Sequence, residues 1–130
     1  MSTAPFRIFD HVDIRVRDLK AARPLYDALL GALGMRGMAF GRDAHVYLRV
    51  LDGKAHEAVA LVQDPEHVPS PVRIAFAAPS SDDVDRLAAA AVAAGARGVE
   101  GPMPCPEYTQ TYYAAFFDDA DGNKLEIVFR

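Results

Sequence analysis

VRIAFAAPSSDDVDRLAAAAVAAGA, residues 72–96, repeats an order that the chain has already used once, and this repetition decides the fold. Its apolar strand VRIAFAAP is followed by Ser80 or Ser81 as helix cap with Asp83 in the first turn. Val84, Leu87, Ala88, Ala91 and Val92 recur at helical spacing up to Gly95 and predict a buried stripe. Residues 10–34, DHVDIRVRDLKAARPLYDALLGALG, follow the same order. There Val12, Ile14 and Val16 fall on one face of a strand and His11, Asp13 and Arg15 on the other. Asp18 caps a helix expected over residues 19–33, whose stripe is Ala22, Leu25, Tyr26, Leu29, Leu30 and Leu33. Pro24 lacks a donor N–H, so it kinks this helix or marks its effective start, and Gly34 stops it.

Each helix is followed by three strand-like segments. In the first half they lie near residues 35–40, 45–51 and 57–62, the last two joined by a turn at Asp52-Gly53. In the second they are residues 97–102, YYAAFFD and KLEIVFR, with the proline-rich loop GPMPCPEYTQ before the second. DADGN joins the last two; it is no calcium loop, because Val128 stands where the closing glutamate ligand is required. QDPEHVPSP, residues 63–71, reads as a linker. The chain is therefore expected to form a single domain, residues 1–130, of two βαβββ modules at 6–62 and 72–130. Laying residue 11 on residue 73 aligns the halves, and Asp52 then falls on Asp118 after an insertion of four residues. Doubling of this kind leaves each half with an open sheet that must pair or be covered.

With 130 residues, 51% of them apolar and 25% charged, the chain is long enough to bury a core. A net charge of -4 and scattered arginines argue against a nucleic-acid groove or a basic membrane patch, both of which need clustered cations. No segment approaches the ~18 consecutive apolar residues of a membrane span, and MSTAPFRIFDHVDIRV lacks the basic start and apolar run of a signal peptide. Cys105 is the single cysteine, so no intrachain disulfide forms; together these features predict a cytoplasmic protein.

In this order of elements the sequence resembles the vicinal oxygen chelate superfamily, which includes glyoxalase I, extradiol dioxygenases, and fosfomycin- and bleomycin-resistance proteins. The resemblance spans essentially the whole chain and is carried by DHVDIRVRDL, the helix end LGALGM, the restart VRIAFAAP and the close YYAAFFDDADGNKLEIVF. It implies an α+β fold of paired βαβββ modules whose mixed sheet curls into a cup with helices on the outer face. It further implies a divalent metal inside the cup, held from the first and last strands of each module, and often a homodimer in which modules of different chains complete one cup.

Carried over position by position, the resemblance puts His11 on the first-strand histidine ligand and Glu126 on the last-strand glutamate. Arg73 stands where the second module usually has its histidine, and Ala60 where some members have a further glutamate. A guanidinium is a permanent cation without an acceptor and alanine has no donor atom, so the implied metal set is incomplete. Alternation places His11, Arg73 and Glu126 each on the face away from the helices, which in such a fold is concave. Either these three converge in the cup, or they are solvated residues on an open sheet. If they converge, Arg73 stands in for the metal, as the salt-bridge partner of Glu126 or as the anchor of a substrate anion.

Around them, Tyr112 or Tyr113 is expected to face the cup and to supply a hydrogen bond or a proton, or else to serve as a core or rim tyrosine. Tyr108 and Cys105 lie in the loop that covers the cup; Cys105 has no identifiable base. His45, His56 and His67 lack metal spacing and read as surface residues. The leading functional reading is a cup that binds a small organic, anionic molecule with a degenerate metal site. A second is a lyase, isomerase or dioxygenase in which His11 and Glu126 hold Fe²⁺, Mn²⁺, Ni²⁺ or Zn²⁺ with a third ligand from elsewhere. A third is drug sequestration without chemistry.

Overall fold

The computed structural model describes residues 6–130; residues 1–5, the start of the stretch read above for a leader, lie outside it. The first module runs β1 (His11–Val16), α1 (Leu19–Ala32), β2 (Arg36–Phe40), β3 (Ala44–Leu51) and β4 (Lys54–Gln63). The second runs β5 (Arg73–Ala77), α2 (Ser81–Ala93), β6 (Arg97–Pro104), β7 (Tyr113–Asp118) and β8 (Lys124–Phe129). The strands form two four-stranded sheets of identical plan, β1-β4-β3-β2 and β5-β8-β7-β6. In each, the first strand runs parallel to the last and the remaining pairs are antiparallel. The result is the expected α+β architecture of two βαβββ modules, with open sheets that do not close into a barrel.

Local chemistry fixes the boundaries. Asp18 accepts from the Ala21 amide at 3.1 Å and Ser80 from the Asp83 amide at 3.1 Å, satisfying donors that each helix start would otherwise leave unpaired. Pro24 lies inside α1 without ending it. β4 begins at Lys54, three residues before the expected strand, because Asp52 and Gly53 both take positive φ (53° and 73°) and make a tight two-residue turn.

α1 and α2 pack against each other and each covers the sheet of its own module, so a single core joins the two halves. Leu29, Leu30, Leu61, Leu125 and Ile127 are fully buried in it. Burial of each such side chain is worth about 1.5–3 kcal/mol. Two expectations fail here. Val92 is 55% exposed; at 100° per residue it lies about 90° from the centre of the stripe of Val84, Leu87, Ala88 and Ala91. His45 is buried, because it alternates with Tyr47 on the helix-facing side of β3 and meets that ring edge-on, centroids 5.1 Å apart.

Polar ties cross the module boundary. The buried Tyr26 hydroxyl of α1 donates to Asp119 Oδ2 at 2.6 Å, in the turn between β7 and β8. The Asn123 side-chain Nδ2 donates to the Arg15 carbonyl at 2.9 Å, and His67 of the connecting segment meets Asn123 Oδ1 at 2.8 Å. The turn from Asp119 to Asn123 thus serves as the socket into which the first module docks.

Candidate functional site

On β8, Leu125 and Ile127 point into the core, so Glu126 and Val128 point to the opposite face. The register puts Ala75 of β5 and Phe116 of β7 beside Glu126, and Lys124 beside Arg73. Ala114, Phe116, Val128, Tyr112 and Cys105 form a small second core on this face. Glu126 is buried at its edge with 6% exposure, too dry a place for an unpartnered carboxylate. Its partner is Tyr112, whose phenol donates to Glu126 Oε2.

Tyr112 is delivered by the loop from Cys105, which folds back on itself. The Cys105 amide donates to the Tyr112 carbonyl at 2.8 Å and the Tyr108 amide to the Cys105 carbonyl at 3.1 Å. Tyr108, largely exposed, leans on Tyr112 with ring centroids 4.9 Å apart. Burial first, and then the hydrogen bond and charge of Glu126, push the Tyr112 phenol up to about 12. It is therefore a neutral donor at physiological pH. Cys105 is buried, and burial, with the charges of Glu107 and Glu126, raises its thiol further from the reactive thiolate. Tyr113 goes elsewhere: one residue on, it turns to the helix side and donates to Asp85 of α2 at 2.5 Å.

Arg73 forms no ion pair with Glu126. Its guanidinium lies over the Phe116 ring, 4.8 Å from the centroid, in a cation–π contact on the same face. Arg73 is exposed and has no carboxylate partner among the described residues, so its charge remains available.

His11 lies in the other sheet, with Asp13 and Arg15, on the face away from α1. Its Nδ1 meets Asp10 Oδ1 at 2.8 Å; that hydrogen bond, then the charge of Asp13, raises its basicity above that of an ordinary histidine. Ala60, also of that sheet, pairs with Asp13 and brings no ligand atom. Where the modules meet, a cleft of about 270 Å³ is lined by Asp13, Arg15, Val72, Ile74 and Lys124, but not by His11, Arg73 or Glu126.

The structure thus brings Arg73, Glu126, Tyr112 and Tyr108 to one sheet face and leaves His11 and Tyr113 apart from it. The donors of one chain do not fit a divalent metal. His11 and Glu126 occupy different sheets, each engaged by another side chain, and the described residues contain no group of three or more His, Cys, Asp or Glu placed to share an ion. Sequence reasoning missed the cradle of Phe116 under Arg73. Its signal was the period-two alternation Ala114, Phe116, Asp118, which puts Phe116 on the face of Glu126.

Comparison with known proteins agrees with this architecture. The family model described as the Glyoxalase/Bleomycin resistance protein/Dioxygenase superfamily matches residues 8–127. A glyoxalase/bleomycin resistance protein from Albidiferax ferrireducens T118 superposes with a TM-score of 0.80 at 29% identity, covering 95% of this chain and 99% of that one. A glyoxalase-related enzyme from Fulvimarina pelagi gives 0.72 at 17% identity, with coverages of 96% and 89%. A genomically encoded fosfomycin resistance protein from Listeria monocytogenes gives 0.69 at 15% identity, with coverages of 95% and 93%; these last two likenesses concern the fold. No curated protein matches. No helix among the described residues is long and apolar enough to cross a membrane.

Proposed function

Since the chain belongs to the Glyoxalase/Bleomycin resistance protein/Dioxygenase superfamily, we propose that it binds a small organic anion on the second-module sheet without a metal ion. The observation that carries this reading is Arg73: an exposed guanidinium over Phe116, with no carboxylate partner among the described residues. Planar, permanently charged and steadied by the ring, it suits a ligand carboxylate, which it grips through two N–H donors. Phe116 lies under it, and the Tyr108–Tyr112 pair adds aromatic surface farther along the same sheet face, beyond Glu126. Tyr112, held as a phenol, commits its single O–H to Glu126 and offers a ligand its oxygen as an acceptor and its ring.

In this proposal the working unit is a cytoplasmic homodimer in which the first module of a second copy brings its His11 face over the Arg73 face. Support comes from the unpaired outer edges of β1 and β5 and from large apolar side chains left in solvent near them, among them Phe9 at 76% and Val72 at 68% exposure. Elemental mass spectrometry of untagged protein, with sedimentation for its mass, tests the reading. A metal-free dimer supports it; near-stoichiometric metal that disappears in Glu126→Ala overturns it.

A further inference from the structure

On the outer flank of the first module, far in sequence from Arg73, a shallow pocket of about 480 Å³ opens between α1, the β2–β3 turn and the end of β4. Lys20, Arg23 and Arg42 line it, with Asp27 as its one carboxylate. In a chain of net charge -4 this is a local excess of positive charge. Asp27 offsets one of the three and leaves two in excess: its Oδ1 accepts from the Tyr47 hydroxyl at 2.6 Å and its Oδ2 pairs with Arg23 Nη2 at 3.2 Å. Tyr47 is buried and fixes Asp27, which gives the half-exposed Arg23 guanidinium a partner before any ligand arrives. Arg23 Nε, itself enclosed, has no hydrogen-bond partner in the protein, which is uncommon for a buried donor. Lys20 and Arg42 are exposed and have no carboxylate partner among the described residues.

We propose that this pocket binds an oxyanion carrying two negative charges: a free phosphate, or the phosphoryl group of a small organic ester. One braced guanidinium and two mobile cations match the three terminal oxygens of such a group. The pocket is larger than a bare ion requires, and Leu19 and Pro24 on its α1 wall offer apolar surface to an organic portion. The site involves no residue of the Arg73 face, so it stands or falls separately from the function proposed above.

Titration with inorganic phosphate and, separately, with phenyl phosphate, followed through backbone amide shifts in NMR, tests it on the full chain. Saturable shifts are expected around residues 19–27 and 42, weakened roughly tenfold in Lys20→Ala and in Arg42→Ala, by loss of one ionic contact each. Arg73→Gln leaves this binding unchanged. Tighter binding of phenyl phosphate identifies the organic ester as the ligand class, and equal binding the free ion; both support the site. Absence of saturable shifts, affinities unmoved in Lys20→Ala and Arg42→Ala, or loss of binding in Arg73→Gln would overturn it.

Discussion

Tyr112 donates its phenolic hydrogen to Glu126 across the end of the second sheet, and this contact accounts for a carboxylate with only 6% exposure. Tyr112→Phe keeps the ring and its contact with Tyr108 while removing the donor. The cost is that of leaving a buried acceptor unsatisfied, about 1–3 kcal/mol. Chemical denaturation of the variant measures it; an unchanged midpoint would mean that water serves Glu126 equally well.

The same contact predicts a pH signature. Tyr112 titrates near 12 where an ordinary tyrosine titrates near 10. Because the folded value is raised, the stabilisation is complete below pH 10 and is lost as pH rises through 12. Ultraviolet titration of phenolate in the native protein, with Tyr112→Phe as reference, is expected to show one late tyrosine vanish from the curve.

Asp119 is buried and accepts from the Asp121 and Asn123 amides, the Asn123 side chain and the Tyr26 hydroxyl. Tyr26→Phe removes one of these donors and is expected to cost about 1–2 kcal/mol. Asp119→Ala strands all four and should cost about 3 kcal/mol or more. Equal losses for the two variants would show that the turn does not depend on its carboxylate.

Two glycines should respond with opposite sign. A Cβ at Gly37 would lie 2.7 Å from His45 Nε2 and 3.3 Å from the Tyr47 ring, both buried, so Gly37→Ala should destabilise by about 1–3 kcal/mol. A Cβ at Gly31, in α1, meets nothing within 4 Å, so Gly31→Ala should stabilise by about 0.5–1 kcal/mol. Thermal unfolding of both variants distinguishes the signs directly.

Much of this architecture was legible in the sequence, because it depends on periodicity. The alternation of His11, Asp13 and Arg15 with Val12, Ile14 and Val16, and the stripes of the two helices, follow from repeats of 2 and 3.6 residues. Alternation fixes the face a side chain takes but not the register between strands. Arg73 and Glu126 share a face, yet β5 and β8 pair Arg73 with Lys124 and Ala75 with Glu126. The two charges are therefore offset by two residues, and the guanidinium rests on Phe116 instead of reaching the carboxylate. Tyr112 was legible only as one of two neighbouring tyrosines. What separates it from Tyr113 is the fold of the loop from Cys105, held by backbone hydrogen bonds that carry no side-chain signal.

Titration calorimetry of small aromatic and aliphatic carboxylates against wild type and Arg73→Gln, in chelator and at two ionic strengths, is the most direct test of Arg73 as a metal-free anion anchor. Binding is expected to survive the chelator, weaken with salt, and fall roughly tenfold or more in Arg73→Gln. Binding that requires an added divalent ion, or that is indifferent to Arg73→Gln, would contradict it.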